Sequence, residues 1–310
     1  MLPDGPAPPA TSPRLSGTTL IFGCGYLGRR VAAALHRQGE EVVAVTRSPA
    51  RGAAFARAGW TPWVADWNDR RTLRGLPPHG RVLVAVAYDR QSRYSRYETQ
   101  VLGLRNALQQ TDPAADLCYI SSTGVFHQTD GRWVDEHSPC RPPREGGRTH
   151  LEAEALLHRL RPRSPWTVLR LAGIYGPGRV PRVGDVLAGR PLASPRHGYL
   201  NLIHVTDAAR AVLACWQHGP TDRLRRYLVA DGHPVVRETF YREIARQSGS
   251  PPPQFVDPPA TSGASARSES NKRIWNARLR HELLPQFQFP SYREGLAAIL
   301  ESRNREKSLD

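Results

Sequence analysis

Six consecutive residues constrain this chain more than any other stretch: Gly23-Cys24-Gly25-Tyr26-Leu27-Gly28, spaced G-x-G-x-x-G. An apolar run over residues 18–22 precedes them and reads as a strand, and a helical period over residues 29–38 follows. In that setting each glycine has a separate task. Gly23 permits the tight turn out of the strand, Gly25 leaves room for a pyrophosphate, and Gly28 lets helix and strand pack closely. Tyr26 and Leu27 complete the loop. Unpaired N–H groups at the start of the helix, together with its dipole, attract phosphate charge. A dinucleotide site at this turn is the first expectation.

The rest of the N-terminal half keeps the same rhythm. Strands are predicted over residues 41–46, 61–65, 81–87, 117–121 and 166–171, with helices over 49–58, 92–110 and 150–160 between them. From Val82 to Ala87 every residue is apolar, as in a strand buried on both faces. The alternation predicts an α/β, doubly wound parallel sheet of Rossmann type over residues 17–171. Beyond it the pattern weakens. Residues 177–195 are rich in Gly and Pro, and a strand (199–204), a helix (206–216), a strand (226–229) and an amphipathic helix (236–247) follow. Residues 250–270 read as a loop of low complexity, 272–284 as helical and 291–302 as a terminal helix. These make a smaller, discontinuous C-terminal substrate lobe, residues 172–303, interleaved with the Rossmann core. Proline-rich residues 1–16 are expected to be a disordered tail, and residues 304–310 a second tail.

The end of the second strand bears on which dinucleotide is bound. NAD sites commonly place an acidic residue there to hold the ribose 2′-hydroxyl. Here the strand ends in Thr46-Arg47-Ser48. A carboxylate would repel a 2′-phosphate, whereas a guanidinium and two hydroxyls pair with it. NADP is therefore expected ahead of NAD, which remains possible. Asp66, just past the third strand, is placed to meet the adenine amino group.

Three further stretches carry a family resemblance. With the glycine motif, Ile120-Ser121-Ser122-Thr123-Gly124-Val125-Phe126, Leu171-Ala172-Gly173-Ile174-Tyr175-Gly176-Pro177-Gly178-Arg179 and Asn201-Leu202-Ile203-His204-Val205-Thr206-Asp207 resemble the extended short-chain dehydrogenase/reductases, also called the NAD-dependent epimerase/dehydratase family. The resemblance implies hydride transfer assisted by a Ser/Thr, a Tyr and a Lys. A phenol near its usual pKa of ~10 needs a cation beside it to exchange protons near neutrality. Ser122 matches the family serine. Counting back from Glu154, however, puts Gly146 at the tyrosine and His150 at the lysine, and no lysine occurs before Lys272. The usual Tyr-x-x-x-Lys dyad is absent.

That absence leaves two readings open. In one the chain is an NAD(P)-dependent oxidoreductase or epimerase of a small polar substrate, with other residues moving the proton. Ser122 and Thr123 would then bind a substrate oxygen, and Tyr175 would donate the proton. His150 or Arg148 would supply positive charge, and Arg179 would hold an anionic group. In the other it is a non-catalytic NADP-binding redox sensor or regulator, keeping the cleft without the acid. His204 and Asp207 are read as structural, ending a strand and starting a helix.

Composition narrows the partners. The net charge of +15 invites nucleic acid, but the basic residues are scattered and almost all arginine, Lys272 and Lys307 being the only lysines. A compositional skew of that kind makes nucleic acid an unexpected partner, and a small-molecule substrate the expected one. No run of about eighteen apolar residues is present, so no membrane span is expected. Cys24, Cys118, Cys140 and Cys215 form no CxxC pair, and His127, His137 and Cys140 fit no familiar zinc spacing. No metal is expected. A cytoplasmic location and a monomer or homodimer complete the expectations.

Overall fold

The computed structural model describes residues 17–218, 224–257 and 271–307. The expected N-terminal tail and most of the low-complexity loop fall outside them. Seven strands pair in parallel: β1 (Thr19–Phe22), β2 (Val42–Thr46), β3 (Thr61–Val64), β4 (Arg81–Val84), β5 (Asp116–Ser122), β6 (Trp166–Leu171) and β7 (Arg226–Val229). Their order across the sheet is β3-β2-β1-β4-β5-β6-β7. The chain thus winds outward from β1 to β3 and then crosses to the other side of β1. A crevice opens at such a switch point, at the carboxyl ends of the strands.

Helices cover both faces, as a parallel sheet requires. They are α1 (Gly28–Arg37), α2 (Pro49–Arg57), α3 (Gly103–Leu108), α4 (Glu145–Leu160), α5 (Val183–Leu187), α6 (Val205–His218), α7 (Arg237–Ser248), α8 (Ala277–Glu282) and α9 (Tyr292–Lys307). Side chains alternate along each strand. Ile21, Leu83 and Leu169 therefore join one core with Val31 and Leu35 of α1 and Val212 of α6. Leu20, Phe22, Val82 and Val168 join a second core with Leu104 of α3 and Leu156 and Leu157 of α4. A third core gathers Phe240 and Ile244 of α7 with Val186 of α5 and Leu296 of α9. That third core is the smaller lobe. Among the described residues no helix is long and apolar enough to cross a membrane.

Several elements differ from the sequence expectation. The helix foreseen over residues 92–110 begins at Arg96, runs through a π segment at Glu98–Leu102, and then becomes α3. The single strand foreseen over 199–204 is two, Tyr199–Leu200 and Leu202–His204, with different partners. In the stretch read as helical over 272–284, Arg273–Ile274 instead pairs with Trp133–Val134 in the long loop, and only Ala277–Glu282 is helix. Helix α9 reaches Lys307, so residues 304–307 are helical rather than tail. Trp133, at the edge of the pairing with Arg273–Ile274, is 41% exposed and packs edge-on against Trp275. Asp207 is fully buried, but it does more than begin α6. Its carboxylate accepts from the backbone N–H groups of Gln288 and Phe289, at 2.7 and 2.8 Å, tying the segment before α9 to the sheet.

One charged cluster fixes α4 on the sheet. Glu154 Oε1 accepts from Ser121 Oγ at 2.6 Å and from Arg170 Nε at 3.0 Å, while Arg170 Nη2 donates to Oε2 at 2.7 Å. The two charged side chains are 7% and 1% exposed. Removing one partner leaves the other charge buried and alone, which costs about 3–5 kcal/mol, whereas removing both costs far less. Urea unfolding of Glu154→Leu is expected to show that loss, and Glu154→Leu/Arg170→Met to recover most of it. A double variant no more stable than the single one contradicts this reading.

Candidate active site

A cleft of about 760 Å³ lies at the switch point. Its walls are the ends of β1, β2, β5 and β6, the residues following β4, and parts of the smaller lobe. The glycine loop forms its floor. Gly23 has φ +89°, and a Cβ there would overlap the backbone of Ala85, the residue after β4. Only glycine permits that approach. At Gly25 a Cβ would meet nothing within 4 Å, so the space above it belongs to the cleft. Gly28 is buried at the start of α1, where an added Cβ would press on the Gly23 carbonyl oxygen at 2.5 Å. Helix α1 carries no acidic residue in its first turn and no side-chain cap. The N–H groups of Arg29 and Arg30 already donate to the Gly25 and Leu27 carbonyls, at 3.0 and 2.9 Å, which leaves the Gly28 N–H and the helix dipole to attract an anion.

Tyr26 joins this loop to the smaller lobe. Its hydroxyl donates to the Pro177 carbonyl at 3.1 Å, and the guanidinium groups of Arg30 and Arg179 lie 4.2 and 5.3 Å from its ring centre. Arg179, Tyr26 and Leu27 all line the cleft.

At the β2 end, Thr46 and Arg47 line the cleft as expected, and Arg51 of α2 joins them. Ser48 does not: its Oγ accepts from Arg51 N at 3.3 Å and caps α2. Asp66 is also displaced from its expected task. Its Oδ1 accepts from the N–H and side-chain nitrogen of Asn68, and Asn68 and Trp67 line the cleft in its place. Arg51 and Asn68 went unmarked in the sequence because nothing in their local spacing distinguishes a cleft residue from a turn residue.

At the β5 end, Ser122 lines the cleft, and its Oγ accepts from Gly124 N at 3.0 Å. Thr123 does not reach the cleft and begins a 3₁₀ turn. Tyr175 cannot serve as the proton donor. It is 0% exposed, faces Gly295 of α9, and its hydroxyl donates to the Ser291 carbonyl at 3.3 Å, away from the cleft. Burial pushes its phenol further above the usual range, with Asp231, Asp207 and Glu294 adding to the effect. Arg148 is outside the cleft and donates to the Pro143 carbonyl.

His150 does line the cleft, but not as a cation. Its Nδ1 is 3.0 Å from the Tyr119 hydroxyl. Burial lowers its pKa to about 4, Glu154 opposing and Arg96 assisting the shift. The ring is neutral near pH 7 and supplies no positive charge. His204 shifts likewise, to about 4, first through burial. Its ring centre lies 3.8 Å from that of Phe289, with the planes tilted by 45°, and its Nδ1 accepts from Thr206 N at 3.3 Å.

Four polar atoms along this cleft are buried without a hydrogen-bond partner: Asn68 Oδ1, Arg96 Nε, Thr99 Oγ1 and Gln100 Oε1. Thr99 and Gln100 belong to the π segment, a helical irregularity common at functional sites. Buried polar atoms left unpaired cost stability unless a ligand or water satisfies them, and here they share one cavity.

These geometries lead to two tests. Gly25→Val is expected to remain folded, with its melting temperature near wild type, yet to lose dinucleotide binding by calorimetry. Gly23→Ala is expected to be destabilised in thermal unfolding. Retained binding in the first would place the ligand elsewhere. The second test concerns His150. Its folded pKa lies below the unfolded value of ~6.5, so the unfolded chain binds protons that the folded chain refuses. Stability should therefore fall as pH drops from 6.5 toward 4, and His150→Gln should shallow that fall. An unchanged slope would mean that His150 is not held neutral.

The chain is similar in sequence and fold to known proteins. Residues 19–230 match the model of the NAD dependent epimerase/dehydratase family. Protein YeeZ of Escherichia coli K12 is 30% identical over 278 residues, covering 87% of this chain and 95% of its own. A conserved, functionally unknown protein of Silicibacter pomeroyi is 29% identical, with a TM-score of 0.74 over 93% of this chain and 99% of its own. A short-chain dehydrogenase/reductase superfamily protein of Agrobacterium tumefaciens, solved with bound NAD, shares the fold at 19% identity. Its TM-score is 0.74 over 94% of this chain and 98% of its own.

Proposed function

The chain belongs to the NAD dependent epimerase/dehydratase family, and from that premise we propose that it is an NADP-dependent oxidoreductase or epimerase of a small polar substrate. The observation that carries this reading is the set of three unpaired polar atoms, Asn68 Oδ1, Thr99 Oγ1 and Gln100 Oε1, in a cleft floored by the glycine loop. A dinucleotide suits both. The backbone of Gly23 to Leu27 and the N-terminus of α1 would hold the pyrophosphate, and Asn68 and Trp67 would meet the adenine. Thr99 and Gln100 would offer hydrogen bonds further along. Arg47 and Arg51, both exposed at the cleft edge with no acidic neighbour in the lining near β2, favour a 2′-phosphate.

When bound, the nicotinamide would supply the hydride acceptor or donor. The chain's own part is to bind, orient and shield a substrate beside it. Ser122 has a hydroxyl proton to give, because its lone pairs are what the Gly124 N–H uses. Tyr88 also lines the cleft, and its phenol would take the role that buried Tyr175 cannot. A second reading, a cofactor-binding regulator without turnover, is favoured by Gly146 and by the neutral His150, which leave the family's two proton-handling positions without a phenol or a cation.

Calorimetric titration with NADPH and NADH tests the cofactor. Wild type should prefer NADPH, and Arg47→Asp should weaken NADPH by at least about tenfold while leaving NADH within a few-fold, since one charge-assisted pair is replaced by a repulsion. Equal affinities in both proteins would make Arg47 a bystander. Turnover in a substrate screen followed at the nicotinamide absorbance separates the enzyme from the regulator.

A further inference from the structure

The space beside the absent tyrosine is filled by an arginine from a different helix. A Cβ at Gly146 would stand 3.6 Å from both Cζ and Nη1 of Arg96, and 3.8 Å from its Nε. A larger side chain at 146 would need the room that the guanidinium takes. Arg96 lines the cleft, and its side chain is 22% exposed. It lies over the ring of Tyr88, 4.3 Å from the centre, which limits where the guanidinium can move. Its Nε is buried and donates to no acceptor. The nearest carboxylate, Glu145 Oε2, stands 3.5 Å from that same Nε without making a hydrogen bond, on a side chain that is 62% exposed. That is a loose, solvent-screened pair. On the same cleft, Ser122 has its proton free for a ligand.

We infer that Arg96, with Ser122, forms a seat for a carboxylate group of the substrate. A half-desolvated guanidinium with an unused N–H is best satisfied by a planar anion that accepts two hydrogen bonds. A neutral hydroxyl would leave most of that charge unbalanced. Where a phenol would exchange a proton, a guanidinium holds its charge instead, so this end of the cleft selects its substrate by charge. The inference deepens the dinucleotide reading and rests on it, because the carboxylate is taken to lie in the same cleft as the cofactor.

Malonate serves as the probe, with neutral malonamide as its control, titrated calorimetrically into protein saturated with NADPH. Malonate should bind and malonamide should not. Arg96→Met should weaken malonate by at least about tenfold with NADPH affinity unchanged. Arg96→Lys should restore part of the loss, and Glu145→Gln should tighten malonate by removing a competing carboxylate. Malonate that fails to bind wild type, binds Arg96→Met equally, or is matched by malonamide overturns the inference. The same series without NADPH separates the two readings. Arg96-dependent malonate binding in a protein that ignores NADPH would defeat the cofactor assignment and leave the seat standing.

Discussion

The buried pair of Glu154 and Arg170 decides where everything at the far end of the cleft stands. It joins α4 to β6 directly and to β5 through Ser121, whose neighbour Ser122 faces the cleft. Because a helix is rigid over two turns, anchoring Glu154 also sets the height of His150 one turn earlier and of Gly146 two turns earlier. The same helix position buries His150, and that burial, assisted by Arg96 and opposed by Glu154, is what keeps its ring neutral. A buried ion pair contributes little net stability compared with an apolar substitute, but breaking it is costly, which makes it a strong determinant of register. Here register is what places the helix against the cleft.

At the opposite end of the cleft the constraint is steric. Gly23 lets β1 turn against the residues following β4, and the small residues of the loop keep the cleft floor open. The two ends are built on different strands and different physics, one on the absence of side chains and one on paired charge. They meet only because the strand order reverses at β1.

This difference explains what could be read from the sequence. The glycine motif announces itself because its constraint is local: the turn, the strand before it and the helix after it are contiguous. The alternation of apolar strands and helices is local as well, and the parallel sheet follows from it. The position of Arg47 at the cleft edge is legible for the same reason, since it follows directly on the end of a strand. Tyr175 was misjudged because its neighbours in sequence are loop glycines, while its neighbours in space are Ser291 and Gly295 of a helix more than a hundred residues away. Asp66 and Ser48 were close to the right place, but their oxygens were already committed to a turn and a cap, a competition that short polar side chains often lose to the nearest N–H. Arg96 could not have been singled out by spacing. Its significance lies in its approach to Gly146, fifty residues on, and in a chain so rich in arginine nothing marks one guanidinium out from another.

That richness has a consequence for chemistry. Lysine can be tuned: burial lowers its pKa, as it does for Lys272, to about 8, and a lysine so shifted can take part in proton transfer. Arginine stays charged when buried, and its fork suits fixed acceptors. Arg161 shows the structural use of this, spending its donors on the carbonyl oxygens of Leu108, Thr111 and Asp112 at the end of α3. Arg170 shows it in an ion pair. A chain whose positive charge is almost wholly arginine has no ready replacement for a lysine that lowers a phenol's pKa while binding a sugar hydroxyl. What it can supply at the same place is a permanent, directional charge. Gly146 and Arg96 belong together in that sense, the missing side chain at 146 leaving the guanidinium its place beside the cleft.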